Sequence, residues 1–151
     1  MNITATMVKE LRDKTGAGMM AAKKALVEVD GDMEKAMEVL RQKGIASAEK
    51  KMGRIAAEGR VESYVDDNCG AVIELNCETD FVAKNDEFKE LASGLAEMVA
   101  KSNPADVAAL EAMTCPKCGK VIADVLKEKI ASIGEKITVR RFVRYEGNVA
   151  T

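Results

Sequence analysis

The stretch AVIELNCETDFVAKNDEF, residues 71–88, changes from a strand pattern to a helix pattern. The apolar run over residues 71–77 predicts a strand. The polar residues after it include Phe81, one of only three phenylalanines in the chain, directly after Asp80. Phe88 then begins an apolar stripe surrounded by acidic residues, which favour the positive N-terminal end of a helix dipole. A strand followed at once by a helix indicates a mixed fold and raises the question of what Phe81 contacts.

Two further strands are predicted on either side of this stretch. Residues 60–66 are β-prone and are joined to the next strand by the turn cluster DNCG at residues 67–70, which predicts a hairpin. Residues 137–145 predict a third strand, in which the adjacent Arg140 and Arg141 disturb the alternation and indicate a β-bulge. Together the strands predict an antiparallel sheet.

Helices are predicted between these strands. The stripe that begins at Phe88 ends at the Asn-Pro pair of residues 103–104, a short helical piece follows over residues 106–113, and Gly134 closes another helix. Helices on one face of an antiparallel sheet make an α+β core, which we assign to residues 60–151. Residues 149–151 resemble the start of another strand, so we expect the chain to be cut short there.

Residues 1–46 predict a separate three-helix bundle. Thr4 can cap the first helix, residues 19–29 carry the second, and Asp32 can cap the third, which Gly44 is expected to stop. The next segment, residues 47–59, is charged and contains two glycines. We interpret it as a partly helical linker with a solvated face.

Composition favours a binding protein over an enzyme. The 151 residues carry 23 basic and 25 acidic side chains, with no long basic run, so nucleic acid is not the expected partner. No apolar stretch reaches the length of a membrane span, and the N-terminus lacks the apolar core of a signal peptide. We therefore expect a cytoplasmic protein. There is no histidine, the commonest acid–base group and metal ligand, and we expect neither catalysis nor a cofactor.

The cysteines allow three interpretations. Cys115 and Cys118 form a C-x-x-C-G motif. A tetrahedral zinc site would also need Cys69 and Cys77, which are separated by seven residues. A thioredoxin-like redox pair is a second possibility, although no βαβ pattern surrounds the motif. Ordinary reduced thiols without metal are the favoured prediction.

Three blocks of the chain carry a family resemblance. They read VKELRDKTGAGMMAAKKAL at residues 8–26, NCETDFVAKNDEF at 76–88 and IASIGEKITVRRF at 130–142. In this order and spacing they resemble the translation elongation factor Ts family. The resemblance implies a UBA-like three-helix domain followed by an α+β core. It also implies a nucleotide exchange factor for elongation factor Tu, the GTPase that delivers aminoacyl-tRNA to the ribosome.

The resemblance has two departures. Family members usually continue past this end with the rest of a second, related core subdomain. The segment CPKCG at residues 115–119 stands where the family usually has a plain polar connection into a helix.

The TDFV motif, Thr79, Asp80, Phe81 and Val82, has two interpretations. From the residues alone, Phe81 either begins the helix that carries Phe88 and packs on its apolar face, with Asp80 as the cap, or is exposed to a partner. The resemblance favours exposure. It implies that the phenylalanine wedges between helices of the GTPase domain and displaces the elements that hold the phosphates and Mg²⁺.

A second set of residues is implied to dock on the GTPase domain. The residues alone predict that glycines shape the loop before Met19 and Met20, and that one of these methionines fills the bundle core while the other is exposed. Ile133 and Gly134 have an ordinary explanation as the end and cap of a helix. The resemblance assigns all four, together with Arg12, to contact with the GTPase.

Other functions also fit parts of this sequence. The main alternative is a UBA-type protein-binding module fused to an unrelated α+β domain, since a UBA domain would use the same loop. Glu74, Glu78 and Asp80 could suggest a catalytic carboxylate pair, but a solvated strand edge explains them. An open strand edge could also let two copies pair through the core sheet.

Overall fold

Seven helices and three strands form within residues 2–147, the part of the chain that the computed structural model describes. The elements follow the predicted order, three helices first and then the mixed core, with one short additional helix, α4, directly after the second strand. Their bounds are α1 Ala5–Thr15, α2 Met19–Glu28, α3 Met33–Lys51, β1 Glu58–Val65, β2 Cys69–Cys77, α4 Asp80–Ala83, α5 Asp86–Ser102, α6 Val107–Ala112, α7 Ile122–Ile133 and β3 Thr138–Glu146.

The sheet is antiparallel, with β2 between β1 and β3. The predicted bulge is confirmed in β3. Glu74 of β2 pairs with Arg141, but its neighbour Leu75 pairs with Val139, so Arg140 is the extra residue. The predicted α+β class is confirmed: three helices pack together, and a three-stranded antiparallel sheet follows with its own helices.

The main core lies between the sheet and α5. Ile73 and Leu75 of β2 are fully buried, as are Phe88 and Val99 of α5. Helix α5 ends at Ser102, because the left-handed conformation of Asn103 and the proline after it stop the helix where the sequence predicts. This packing fixes the end of β2, from which the TDFV motif emerges.

The bundle has a smaller core. It is built around Leu11, Leu26 and several alanines, and small residues let three short helices approach closely. The predicted caps are confirmed. The Thr4 side chain accepts from the Met7 N–H at 3.2 Å, and Asp32 accepts from the Lys35 N–H at 3.1 Å.

Helix α3 corrects one prediction, because it does not stop at Gly44 but continues to Lys51. A Cβ at Gly44 would lie 3.2 Å from the Cβ of Ala131, so this glycine permits close packing of α3 against α7. Ala48, one turn further, is fully buried in the main core. Tertiary packing therefore outweighs the weak helix propensity of glycine.

The last five residues of α3, residues 47–51, thus lie in the segment predicted as a partly helical linker. Independent folding of residues 1–46 stays a prediction. The strand predicted to begin at residues 149–151 lies outside the described residues. Within residues 2–147, every helix is too short or too polar to cross a membrane.

Candidate partner-binding site

Phe81 lies on a short helix of its own. Helix α4 covers only Asp80–Ala83, and α5 starts separately, with Asn85 as its cap. The Phe81 side chain is 89% exposed, so the interpretation that packs it beside Phe88 is wrong. Asp80 is not the cap of this helix either. The Thr79 hydroxyl fills that role by accepting from the Val82 N–H at 3.4 Å.

The inner side of α4 explains why Phe81 points outward. Ala83 is buried and Val82 is half-buried against the main core. Successive helical residues point about 100° apart, so a single turn that buries these two leaves Phe81 on the opposite side. Asp80, also exposed, forms an ion pair with Lys84 at 2.8 Å.

Glu135 holds the segment that leads into α4. Its Oε1 accepts from the backbone N–H of Glu78 at 3.1 Å and from that of Thr79 at 2.9 Å. Its Oε2 accepts from the Thr79 hydroxyl at 2.7 Å. Hydrogen bonds to an ionised acceptor are among the stronger ones in proteins, so this carboxylate fixes the direction in which the motif leaves β2.

Glu78 makes a second set of contacts between the same two segments, because its side chain binds the residue that follows Glu135. Its Oε2 accepts from the backbone N–H of Lys136 at 2.7 Å and lies 3.4 Å from a guanidinium nitrogen of Arg54. The Lys136 ammonium in turn donates to the Arg54 carbonyl at 3.0 Å. We call Glu78, Glu135, Lys136 and Arg54 the brace, because they tie the exit of β2 to the connection between α7 and β3.

The three carboxylates considered for catalysis therefore have structural partners. Glu78 belongs to the brace, and Asp80 pairs with Lys84. Glu74 pairs with Arg141 across the sheet at 2.9 Å. They do not form a catalytic pair.

The end of α7 supplies Glu135 to this brace. Ile133 is half-buried against the main core, and Gly134 caps the helix with φ +88°, donating its N–H to the Ile130 carbonyl at 2.9 Å. This left-handed residue turns the chain so that Glu135 faces the start of α4. The predicted helix end at Gly134 is confirmed.

Met19 and Met20 are both at the surface, 60% and 65% exposed. The prediction that one of them fills the bundle core is wrong. The buried residues of α2 are Ala22, Ala25 and Leu26, one turn further along, so the first turn of α2 lies beyond the small core. An exposed pair of flexible thioether side chains is an adaptable contact surface.

The loop before these methionines lies against α7. A Cβ built on Gly16 would be 3.9 Å from the Cβ of Ser132, next to Ile133. Arg12, whose side chain is exposed, has its carbonyl bonded to the Gly16 N–H at 2.7 Å. The fold thus brings the bundle loop to the end of α7, and the brace connects that end with the TDFV motif.

The sequence did not point to Glu135. The backbone amides and the hydroxyl from which it accepts lie 56 and 57 positions earlier in the chain, so no pattern of neighbouring residues marks it.

The cysteines are free thiols in this structure. Cys77 is buried and its thiol lies 3.2 Å from the Thr79 carbonyl; burial, followed by the Glu135 carboxylate, raises its pKa to about 11. Across residues 2–147, no group of three or more potential ligands is arranged to hold a metal ion.

Fold and site together define a class: an α+β protein that presents an aromatic side chain on a braced turn, an arrangement typical of protein-binding surfaces. The family model described as Elongation factor TS matches residues 78–151. The chain belongs to the elongation factor Ts family.

Curated relatives extend the similarity to the bundle. An Elongation factor Ts from Syntrophotalea carbinolica is 51% identical over 146 residues, 97% of this chain and 48% of that protein. Proteins of the same name from Burkholderia mallei and Burkholderia thailandensis are 57% identical over 144 residues, 95% of this chain and 48% of each protein. The chain thus spans about half the length of the curated relatives it matches.

Proposed function

We propose that this chain promotes nucleotide exchange on elongation factor Tu during translation elongation, as a non-enzymatic binding protein. The observation that carries the proposal is Phe81, exposed on a braced turn in a member of the elongation factor Ts family. The proposed site of action is the cytoplasm, where translation takes place.

The Phe81 ring can supply binding energy directly. Burying about 150–200 Å² of aromatic surface at about 25 cal/mol per Å² gains about 4–5 kcal/mol before entropic costs. The brace lowers those costs, because a segment already fixed by Glu135 loses little freedom on binding. The ring is therefore suited to enter an apolar gap between helices of the GTPase.

Exchange then follows from linkage. A factor that binds the nucleotide-free GTPase more tightly than the nucleotide-bound form must weaken nucleotide binding by the same ratio. In the proposed step, the Thr79–Val82 motif displaces the elements that hold the phosphates and Mg²⁺. Without the metal, the phosphate charge is less well neutralised and GDP dissociates faster. No bond is made or broken by the factor.

The second surface is proposed to dock the GTPase domain. It comprises Arg12, Met19 and Met20 of the bundle with Ile133 and Gly134 of α7. The exposure of the two methionines and the position of Gly16 beside Ser132, where an added Cβ would lie 3.9 Å from the Ser132 Cβ, support a continuous surface from the bundle to the brace. Docking energy gained here offsets the cost of displacing the GTPase elements that bind GDP.

The test measures release of labelled GDP from elongation factor Tu, first with the unaltered chain against spontaneous release. Phe81→Ala should weaken the complex with the nucleotide-free GTPase by about thirtyfold or more, the equivalent of about 2 kcal/mol for a central aromatic anchor. Stimulated release should fall with it. If the unaltered chain neither binds this GTPase nor speeds release, the proposal fails.

Tyr145→Ala is the matched control. Tyr145 is also an exposed aromatic residue, at 70%, and it pairs with Gly70 at the opposite end of β2 from the motif. The eight residues from Gly70 to Cys77 are separated by seven steps along the strand, which span about 23 Å. Equal loss of exchange in both variants would contradict a specific role for Phe81.

Pairing of two copies through the core sheet remains part of the proposal. Strands β1 and β3 are the outer strands of the described sheet, and an open strand edge can pair with another chain. Light scattering across a concentration series, with the chain alone, decides between monomer and dimer.

A further inference from the structure

The connection between α6 and α7 folds into a tight turn around Cys115 and Cys118. Thr114 and Val121 form an antiparallel bridge that closes the turn at its base. Inside it, the Cys115 N–H donates to the Lys120 carbonyl at 2.7 Å, and the Gly119 N–H donates to the Cys115 carbonyl at 2.9 Å. Hydrogen bonds therefore fix the backbone of the turn both at its base and inside it.

This backbone holds the two cysteines at a separation that a disulfide can span. The bond from residue 119 to residue 115 closes one helical turn, in which residues three apart have Cα atoms about 5 Å apart. Disulfides join Cα atoms about 4.4–6.8 Å apart. Cys118 is exposed and Cys115 is half-buried, so small reagents can reach the pair.

The surroundings of Cys115 favour its thiolate. Burial acts to raise its pKa, but hydrogen bonds from the Cys118 side chain and from the backbone amides of Cys118 and Lys117, with the Lys117 charge, outweigh burial and leave the pKa below its ordinary value. Cys69 has the reverse balance, because burial and Asp66 raise its pKa. Thiolate character is therefore greater at Cys115 than at Cys69 or Cys77.

We propose that Cys115 and Cys118 are a redox-active dithiol that reacts with low-molecular-weight disulfides such as oxidised glutathione and closes into an intramolecular disulfide. This activity goes beyond nucleotide exchange and does not depend on it.

The reaction balances as two thiol–disulfide exchanges. The Cys115 thiolate attacks one sulfur of the small disulfide, forming a mixed disulfide and releasing one small thiolate. The Cys118 thiol then loses its proton and attacks the Cys115 sulfur, forming the intramolecular bond and releasing the second small thiol. The protein is oxidised by two electrons, and one small disulfide is reduced to two thiols.

A metal site fits the described residues less well than a redox pair does. A structural zinc needs four ligands, and the turn offers two. Among residues 2–147, no third cysteine or carboxylate joins Cys115 and Cys118 in a possible metal cluster. Zinc shared between the cysteine pairs of two copies would overturn the proposal.

The test equilibrates the reduced full chain in glutathione buffers of increasing oxidised fraction, followed by acid quench, alkylation and peptide mass spectrometry. The expected product is a Cys115–Cys118 disulfide, while Cys69 and Cys77 remain alkylated. In a separate measurement at pH 7, iodoacetamide should label Cys115 several-fold faster than Cys69. Failure of Cys115 and Cys118 to oxidise, or equal labelling rates, would overturn the proposal.

Two variants test the assignment of the two cysteines. Cys118→Ser removes the resolving thiol but keeps a hydroxyl, so a mixed disulfide with glutathione should persist at Cys115. Cys69→Ser, at the hairpin, should leave oxidation of the pair unchanged. Persistent mixed disulfides in the unaltered chain, or about half a zinc per chain that protects both thiols, would also contradict the proposal.

Discussion

Helices α4 and α5 each carry a phenylalanine, seven positions apart, with opposite fates. Phe81 on α4 is 89% exposed, whereas Phe88 on α5 is fully buried. The same side chain thus serves as a surface feature in one element and as the centre of the core in the next. Hydrophobicity alone therefore does not decide whether a side chain is buried; the length and anchoring of its helix decide it.

The two helices differ in how much apolar surface they can place inward. Helix α5 runs over 17 residues, and its stripe repeats through Phe88, Leu91, Leu95 and Val99, so four turns contact the sheet. Helix α4 has only four residues and is held from outside by the brace. Its single turn leaves no inward position for Phe81.

The largest expected effect tests burial itself. Phe88→Ala should lower the free energy of unfolding by about 3–5 kcal/mol, because it opens a cavity in the main core. Phe81→Ala should change it by no more than about 0.5 kcal/mol, as for an exposed site. Urea unfolding followed by circular dichroism measures both. Comparable destabilisation by the two variants would remove the distinction between the helices.

The next effect tests the brace. Glu135→Ala leaves the amides of Glu78 and Thr79 without their acceptor, which should cost about 1–3 kcal/mol of unfolding free energy. Exchange on elongation factor Tu should fall as well, because Phe81 loses its fixed direction.

Glu135→Gln is the matched variant for that measurement. Its amide oxygen can still accept from both backbone N–H groups, so it should recover most of the stability and part of the exchange. If alanine at this position lowers stability but leaves exchange intact, the brace has no role in presenting Phe81.

Much of this contrast could be predicted from local patterns. The stripe of α5, its stop at Asn103, the hairpin and the bulge at Arg140 all follow from residues close in sequence, and all are confirmed. The exposure of Phe81 did not follow from such patterns, because a ring after Asp80 fits either a buried or an exposed position. The family resemblance favoured the exposed one.

What could not be predicted depends on contacts between distant residues. Gly44 is a typical residue at which a helix stops, but close packing against α7 stabilises α3 beyond it. Glu135 acts on Thr79 from 56 positions away. The small size of the bundle core, which leaves both Met19 and Met20 outside, also emerges only once three helices are assembled.

A smaller effect is expected at the cap of α7. Gly134→Ala keeps the brace residues but places a Cβ in a left-handed conformation, φ +88°, at a cost of about 1–2 kcal/mol. No heavy atom lies within 4 Å of the added Cβ, so the cost arises from the backbone and not from a clash. Gly44→Ala is the comparison variant. Gly44 lies within α3, and its added Cβ would be limited by the nearby Ala131 side chain and not by the backbone angle φ. Thermal unfolding of both separates the two causes.

The smallest effect is expected for the ion pair on α4. Lys84 lies 2.8 Å from Asp80, which raises the pKa of the lysine through a hydrogen bond and charge attraction. A raised lysine pKa contributes stability that is fully present below the unfolded pKa and is lost only as the pH rises through the folded value, so the contribution is constant around neutrality. Both side chains are well exposed, and solvent and salt screen such pairs strongly.

Lys84→Met should therefore leave the melting temperature unchanged at pH 7 within error, in low and in high salt. Since Val82, Ala83 and Glu135 still hold α4, stimulated GDP release should also stay at the unaltered rate. A clear drop in melting temperature would contradict this expectation and mean that the Asp80–Lys84 pair contributes measurably to holding α4 in place.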